Sequence, residues 1–261
     1  MIRVAAGESA LARDFVYHAL VAGLHPDHCV VCRLSLDSVE RHFQAFFYEQ
    51  VNDPWVRHAL VAARGFCPTH AWRRPGLHDA SGISIVYHHL LSELVTVFRA
   101  AADSAAHARA GSAPVRRRWR LRPGRRVAGA LAAWMTPRGP CPMCVTQWEA
   151  EDRYAAVLVR AAAADEFRDR YRDSFGVCMP HLVLALGQGA APAACDWLVA
   201  TEGAKLARLL WELSEYIRKL DYRFRHETVL REATAWQRAI EKLVGAPGMV
   251  WRRSPTSADT R

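Results

Sequence analysis

Long apolar runs and strand-forming stretches are both missing from this chain of 261 residues. No run approaches the roughly 18 apolar residues of a membrane-crossing helix, and the longest candidate, Val127–Met135, stops at nine. Segments rich in Val, Ile and Thr are scarce, which argues against a sheet. An unbroken apolar core near the start is lacking too, because Glu8, Arg13 and Asp14 fall where a secretion signal would need it. These absences point to a helical protein without a membrane span, expected in the cytoplasm. In that reducing setting paired cysteines are more often metal ligands or redox thiols than structural disulfides.

What is present supports the helical reading. Hydrophobic residues make up 51% of the chain and nine are Trp, enough for a sizeable core. Alanine and arginine are abundant, and Gly and Pro cluster between long segments, so the expected fold class is all-α. The net charge of +9 is unevenly spread: seven arginines lie between Arg116 and Arg126, and the tail Trp251–Arg261 holds three arginines against one aspartate. Those two stretches account for the whole excess. The basic character therefore belongs to a linker and a tail rather than to a globally basic surface.

Six of the seven cysteines fall into one pattern, used twice. Cys29-Val-Val-Cys32 is followed, after a gap of 34 residues, by Cys67-Pro-Thr-His70; Cys141-Pro-Met-Cys144 is followed, after 33, by Cys178-Met-Pro-His181. Three thiolates and one imidazole close a tetrahedron and leave no open position, which is the ligand set of structural zinc. The expected sites are Cys29, Cys32, Cys67 and His70 around one Zn²⁺, and Cys141, Cys144, Cys178 and His181 around a second. An iron–sulfur cluster with one His ligand is an alternative. Metal-free CxxC redox chemistry is another, since thiols at a helix N-terminus ionise readily. Against it, a redox pair needs neither the downstream Cys nor the His, and no βαβ pattern surrounds either pair. Cys195 has no partner at ligand spacing and reads as a helix-buried thiol. His28 could compete with His70, although the second copy carries Pro140 in the matching place. His88 and His89, on a long helix, read as interface or solvent residues.

Apolar spacing predicts helices over 8–23 and from Cys32 to about Val51. Asn52-Asp53-Pro54 signals a turn into a new helix, with Asp as N-cap and Pro as first residue, and Gly65 closes that helix after Arg64. The outward helix is about 30 Å long and the return helix about 17 Å. An extended Asn52–Trp55 would add the missing ~12 Å, so the hairpin should bring Cys67 and His70 back beside Cys29 and Cys32. A long helix over 81–110 and an Arg-rich connection, with a short helix at 127–134, come next. The order then repeats: a helix after Cys144, a short helix capped by Asp165 and ended by Gly176, a long helix over 192–220, and a last helix over 228–244. Leu90-Leu91-Ser92-Glu93-Leu94 matches Leu209-Leu210-Trp211-Glu212-Leu213. The reading is thus two duplicated three-helix units, each with its own CxxC…CxxH metal site, packed as one helical globule. The first repeat covers residues 1–110, the linker 111–138, the second repeat 139–248, and a disordered tail 249–261.

Two further stretches carry candidates. Arg116, Arg117, Arg118 and Arg120, with Trp119 among them, could contact the phosphates of nucleic acid or an anionic surface, or form a solvated linker. Asp221, Arg223 and Glu227 could form a polar pocket for an anion or substrate, or a helix-end salt-bridge network over Tyr222 and Phe224.

The CxxC pairs, the Gly-Phe-Cys-x-x-His and Gly-Val-Cys-x-x-His segments, Ile217-Arg-Lys-Leu-Asp-Tyr-Arg-Phe224 and Trp236-Gln-Arg-Ala-Ile-Glu241 together resemble an uncharacterised bacterial family, a domain of unknown function. The likeness covers most of residues 15–245. That family favours Cys-Pro-x-Cys and Gly-Phe-Cys; here Val30 stands for the Pro in the first copy and Val177 for the Phe in the second, and neither change removes a ligand. The resemblance implies the architecture and the two sites, and no activity. The leading expectation is a non-enzymatic, zinc-stabilised binding or scaffold protein, with a protein partner conceivable. An iron–sulfur or thiol redox protein and a nucleic-acid-binding protein are the alternatives. No catalytic residue is identified.

Overall fold

The computed structural model describes residues 15–51, 53–73, 80–110, 123–189 and 191–252. Among them it is all-helical, without a strand. In chain order the helices are α1 (Phe15–Ala22), α2 (Val30–Ala45), α3 (Pro54–Ala62), α4 (Pro68–Arg73), α5 (Ala80–Ala110), α6 (Pro123–Met135), α7 (Pro142–Ala161), α8 (Asp165–Arg172), α9 (Met179–Leu186), α10 (Pro192–Lys219) and α11 (Ala235–Val244). A π-helical turn, Phe46–Gln50, prolongs α2, and 3₁₀ turns at Tyr222–Phe224 and Arg231–Thr234 lie between α10 and α11. None of the helices is long and apolar enough to cross a membrane.

Local chemistry sets most boundaries. Asp53 caps α3 by accepting from the backbone N–H groups of Trp55 at 2.7 Å and Val56 at 3.3 Å, and Pro54 begins the helix. Proline also opens α4, α6, α7 and α10, where its missing N–H costs nothing. Asp165, expected as the cap of α8, sits inside its first turn beside Glu166, where negative charge meets the positive end of the helix dipole; Ala164 holds the cap position. Residues 228–234, expected to be helical with α11, hold a 3₁₀ turn instead, and α11 begins at Ala235.

The chain divides into two compact units. The terminal unit combines residues 1–40 with 146–261, and the inserted unit is 41–145. The boundaries fall inside α2 and α7, whereas the sequence reading placed them near 110 and 139. The terminal unit has a core of Leu20, Val31, Leu158, Phe167, Tyr171 and Leu198, each fully buried or nearly so, to which Cys29, Cys32 and Cys178 also belong. Burying each large apolar side chain stabilises the fold by roughly 1.5–3 kcal/mol. In the inserted unit Phe43, Phe46, Phe47 and Phe66 pack together with centroids 4.9–6.5 Å apart, edge to face except for the stacked Phe43–Phe47 pair. The π turn supplies two of these rings.

Candidate metal centres

Eight ligand residues gather into two groups of four, and the pairing is crossed. Cys29 and Cys32 meet Cys178 and His181 in the terminal unit; Cys141 and Cys144 meet Cys67 and His70 in the inserted unit. Within each group the ligand atoms all lie within 4.8 Å of one another. In the terminal centre the Nδ1 atom of His181 stands 3.5, 3.4 and 3.2 Å from the sulfurs of Cys29, Cys32 and Cys178, and Cys32 Sγ is 3.7 Å from Cys178 Sγ. In the inserted centre His70 Nδ1 stands 3.3, 3.8 and 3.4 Å from Cys67, Cys141 and Cys144, and Cys67 Sγ is 3.6 Å from Cys144 Sγ.

This corrects the expected hairpin. The outward path comprises the 16 residues of α2 and the five of the π turn, but the return helix α3 has only nine. At 1.5 Å per residue the return covers less than half of the outward rise. The extended stretch that was to make up the difference is mostly absent: Val51 is still helical, Asp53 is extended, and Pro54 and Trp55 already belong to α3. Cys67 and His70 are therefore delivered to Cys141 and Cys144. The Arg138 N–H donates to the Ala62 carbonyl at 2.7 Å, clasping the segment before Cys141 to the end of α3. The Arg64 guanidinium lies over the Trp134 ring at 4.8 Å. The terminal unit has its own clasp, with Phe175 N–H donating to His25 O at 2.7 Å and Val30 N–H to Gly176 O at 3.3 Å.

All four half-sites are the starts of helices. Cys29, Cys67, Cys141 and Cys178 each immediately precede a helix, and the carbonyl of each accepts the N–H four residues on, at 2.8–3.1 Å. A ligand three positions later then lies on the same face, which is why CxxC and CxxH spacing suits one ion. The N-terminal ends of helix dipoles also favour the thiolate form. The Gly-x-Cys segments need their glycines: Gly65 has φ 93° and Gly176 φ 79°. A methyl group on Gly176 would run into the Glu202 carboxylate and stand 3.0 Å from the Tyr171 hydroxyl, whereas one on Gly65 would meet Leu90 Cδ1 at 3.2 Å.

The surroundings of the two centres differ. In the terminal centre all four ligands are buried, and the chain end closes over them. The Ala246 N–H donates to Cys32 Sγ at 3.4 Å, the Cys29 N–H donates to Glu241 at 2.8 Å, and the Trp251 ring lies edge-on to His181 at 5.1 Å. Gly245, at φ 84°, makes this approach, since any side chain there would strike Trp251. The buried Glu151 stands 4.0 Å from His181 Nε2 and accepts from Gln147 at 2.6 Å. Burial raises the Glu151 pKa, with the Gln147 bond opposing it. A buried Lys242 ammonium donates to the Phe175 and Val177 carbonyls at 3.0 and 2.8 Å and pairs with Glu202, which also accepts from Tyr171 at 2.6 Å. The inserted centre is less enclosed. Cys67 is half-buried, and His70 Nε2 has no hydrogen-bond partner among the described residues.

Neighbouring sulfurs cannot all ionise without a cation between them. Cys67 is held far below the ordinary thiol range by hydrogen bonds from Cys141 and Cys144, while Cys144 is pushed far above it by Cys141 and then Cys67. Burial disfavours a proton on His70, yet the thiols of Cys141 and Cys67 outweigh it and drive its pKa up to about 9. A positive ion placed among the sulfurs of either centre would allow the remaining thiols to ionise as well.

The other expected residues are placed elsewhere. His28 Nδ1 lies 3.0 Å from Glu241 and takes no part in the ligand set. Asp221 pairs with Arg223 at 2.7 Å, and Glu227 pairs with Arg218 instead, so the three take part in two separate ion pairs near the end of α10. Arg116, Arg117, Arg118 and Arg120 lie outside the described residues, as do 253–261 of the expected tail. Residues 249–252 of that tail are held in place. The Trp148 indole donates to Val250 O at 2.8 Å, and Arg252 donates to Trp148 O at 2.8 Å. Sequence reasoning missed Gly245, Ala246 and Trp251. The Gly245-Ala-Pro-Gly248 turn that ends the last helix is the one signal that could have drawn attention there.

Comparison with known proteins yields relatives without an assigned role. The chain is 24% identical over 228 residues to an uncharacterised 23.9 kDa protein from the xynA 3′ region of Caldicellulosiruptor sp. (strain Rt8B.4), a likeness covering 87% of this chain and 99% of that protein. No solved structure matches. A family model matches residues 22–248, a span that takes in all eight clustered ligands, and the chain belongs to that family, the family of unknown function DUF6062.

Proposed function

We propose that each centre holds one Zn²⁺ as a structural ion and that the protein serves as a metal-stabilised helical scaffold or binding module, not as an enzyme. The observation that carries this reading is the set of ligand separations. Around a tetrahedral zinc with Zn–S of about 2.3 Å and Zn–N of about 2.0–2.1 Å, sulfurs would stand about 3.8 Å apart and sulfur and nitrogen about 3.5 Å apart. The sulfur–sulfur distances of 3.7 and 3.6 Å and the sulfur–nitrogen distances of 3.2–3.8 Å fit those edges. Four ligand atoms within 4.8 Å of one another suit a single ion better than a multi-iron cluster, which would spread its ligands around several metal atoms. Three sulfurs and one nitrogen fill the tetrahedron, so no position remains for a substrate or an activated water. With zinc bound, the ions would contribute folding free energy on the order of 10 kcal/mol each. The role of the chain's own residues is then to hold the metal: helix N-termini and the Ala246 N–H stabilise thiolate sulfur, and burial excludes water and competing ligands.

Metal analysis of anaerobically purified protein tests the reading. Two zinc ions per chain in a colourless protein are expected. A brown protein containing iron and acid-labile sulfide would overturn zinc, and metal-free protein with an unchanged helical circular-dichroism spectrum would overturn a structural ion altogether.

A further inference from the structure

The terminal unit contains a second polar feature, separate from its metal centre. A cavity of 140 Å³ opens between the end of α8, the middle of α10, the 3₁₀ turn at Arg231 and α11. Six cations line it: Arg172, Lys205, Arg208, Arg231, Arg238 and Lys242, against Asp173 and Glu212. Its volume is several times the roughly 10–15 Å³ that a single water needs.

The ion pairs around the cavity leave it positive. Lys242 is matched by Glu202, and Arg172 by Asp169. Arg208, Arg231 and Arg238 converge on one buried carboxylate, Glu212, at 3.4, 3.9 and 2.5 Å. Asp27 supplies a second counter-charge to Arg231 at 3.3 Å and to Arg238 at 3.8 Å. Six cations thus face five carboxylates, counting the three just outside the wall. Lys205 directs its ammonium to the carbonyls of Tyr171 and Arg172, at 2.8 Å each, and of Ser174. Those groups accept hydrogen bonds but carry no net charge. Burial holds the Lys205 pKa down to about 8, with Glu202 opposing the shift and Lys242 adding to it. Arg238 is only 7% exposed, yet its Nε has no hydrogen-bond partner. That nitrogen is the atom 3.8 Å from Asp27 Oδ1, so it is ion-paired but lacks the hydrogen bond that a closer acceptor would supply.

We infer that this cavity binds a small oxyanion of the phosphate class, free or as the phosphate group of a small ester. Its guanidinium groups come from four elements: Arg172 on α8, Arg208 on α10, Arg231 on the 3₁₀ turn and Arg238 on α11. A tetrahedral oxyanion offers acceptor oxygens in several directions at once. A planar carboxylate is matched by a single fork, and Glu212 already takes that role. Ser174 and Phe175, in the cavity wall, belong to the segment that leads into Cys178, so the bound anion would sit against the metal-bearing knuckle.

Isothermal titration of the full-length, metal-loaded protein with inorganic phosphate, at constant ionic strength in chloride, tests the inference. Saturable binding at one site is expected in the wild type. The Arg208 side chain is 71% exposed and pairs with Glu212, which Arg238 also holds, so Arg208→Ala should fold normally. It should weaken phosphate binding about tenfold or more, the effect of losing one charged hydrogen bond. Arg225→Ala, an exposed arginine away from the cavity, should bind as the wild type does. Metal content and helical signal serve as controls, because phosphate also stabilises proteins non-specifically. No saturable heat in the wild type, or undiminished binding in Arg208→Ala, would overturn the assignment.

Discussion

The two candidate metal centres draw on the same ligand types, a CxxC pair and a CxxH pair, in opposite chain order, yet they differ in how they are sheltered. In the terminal unit Glu241, Ala246 and Trp251 close over the ligands from more than 200 residues beyond Cys29. Glu151 stands behind the histidine, and the Lys242–Glu202–Tyr171 network braces the knuckle. The inserted centre has the aromatic nest of Phe43 and Phe66 beside it, a half-buried Cys67, and no acceptor for His70 Nε2 among the described residues. The difference separates two things that a motif tends to merge. CxxC and CxxH spacing determines what can coordinate, whereas the depth of each site is set by segments remote in sequence.

The largest expected effect comes from removing ligands in pairs, because a structural ion contributes on the order of 10 kcal/mol. Cys29→Ser with Cys178→Ser removes two ligands from one centre and should leave one metal ion per chain. Cys29→Ser with Cys67→Ser damages both centres and should leave none. Local pairing within each repeat would give the reverse outcome: an empty chain for the first double variant and one ion for the second. Hydrogen exchange adds the location, with protection lost in the terminal unit of the first variant and retained in the inserted one.

A smaller effect is expected at the two glycines. Gly65→Ala forces a side chain into a positive-φ conformation beside Leu90, which should cost about 1–2 kcal/mol. Gly176→Ala imposes the same backbone strain and also drives its methyl group into Glu202, displacing the carboxylate that holds Lys242 and Tyr171. The buried ammonium would lose its counter-charge, so about 3 kcal/mol or more is expected. Denaturant titration of the two variants measures the difference, and equal losses would show that the Glu202 network does not brace the terminal knuckle.

These outcomes bear on what could be read from the sequence. The helices were legible because their signals are local: Asp53 and Pro54 begin α3 where expected, and α5 and α10 span nearly their expected ranges. All eight clustered residues could be singled out from the sequence, since three-residue spacing on a helix start is a local property. Their partition into centres was not. It depends on the summed lengths of α2, its π turn and α3, and the return fell short because Pro54 and Trp55 are helical where an extended stretch was needed. Nor was the cover of the terminal centre legible. Trp251 follows the last helix as part of an apparently featureless tail, and only the fold places its ring against His181. The oxyanion cavity escaped for the same reason: its arginines are scattered from Arg172 to Arg238, while the conspicuous arginine run lies elsewhere.

The smallest expected effect concerns the rate of metal loss. With a chelator in excess, release should be biphasic, the inserted centre emptying first through the half-buried Cys67. Cys67→Ser should abolish the fast phase and leave the slow one. Trp251→Ala removes the ring at 5.1 Å from His181 and the indole hydrogen bond to Val244 O at 3.0 Å, without touching a ligand. Groups behind the ligands typically change metal affinity 10–100-fold, and a packing contact at the edge of the site should lie at the lower end, about tenfold in the slow phase. The fast phase should not change. If Trp251→Ala accelerates both phases equally, the loss reflects general destabilisation; acceleration of the slow phase alone shows that the chain end seals one centre and not the other.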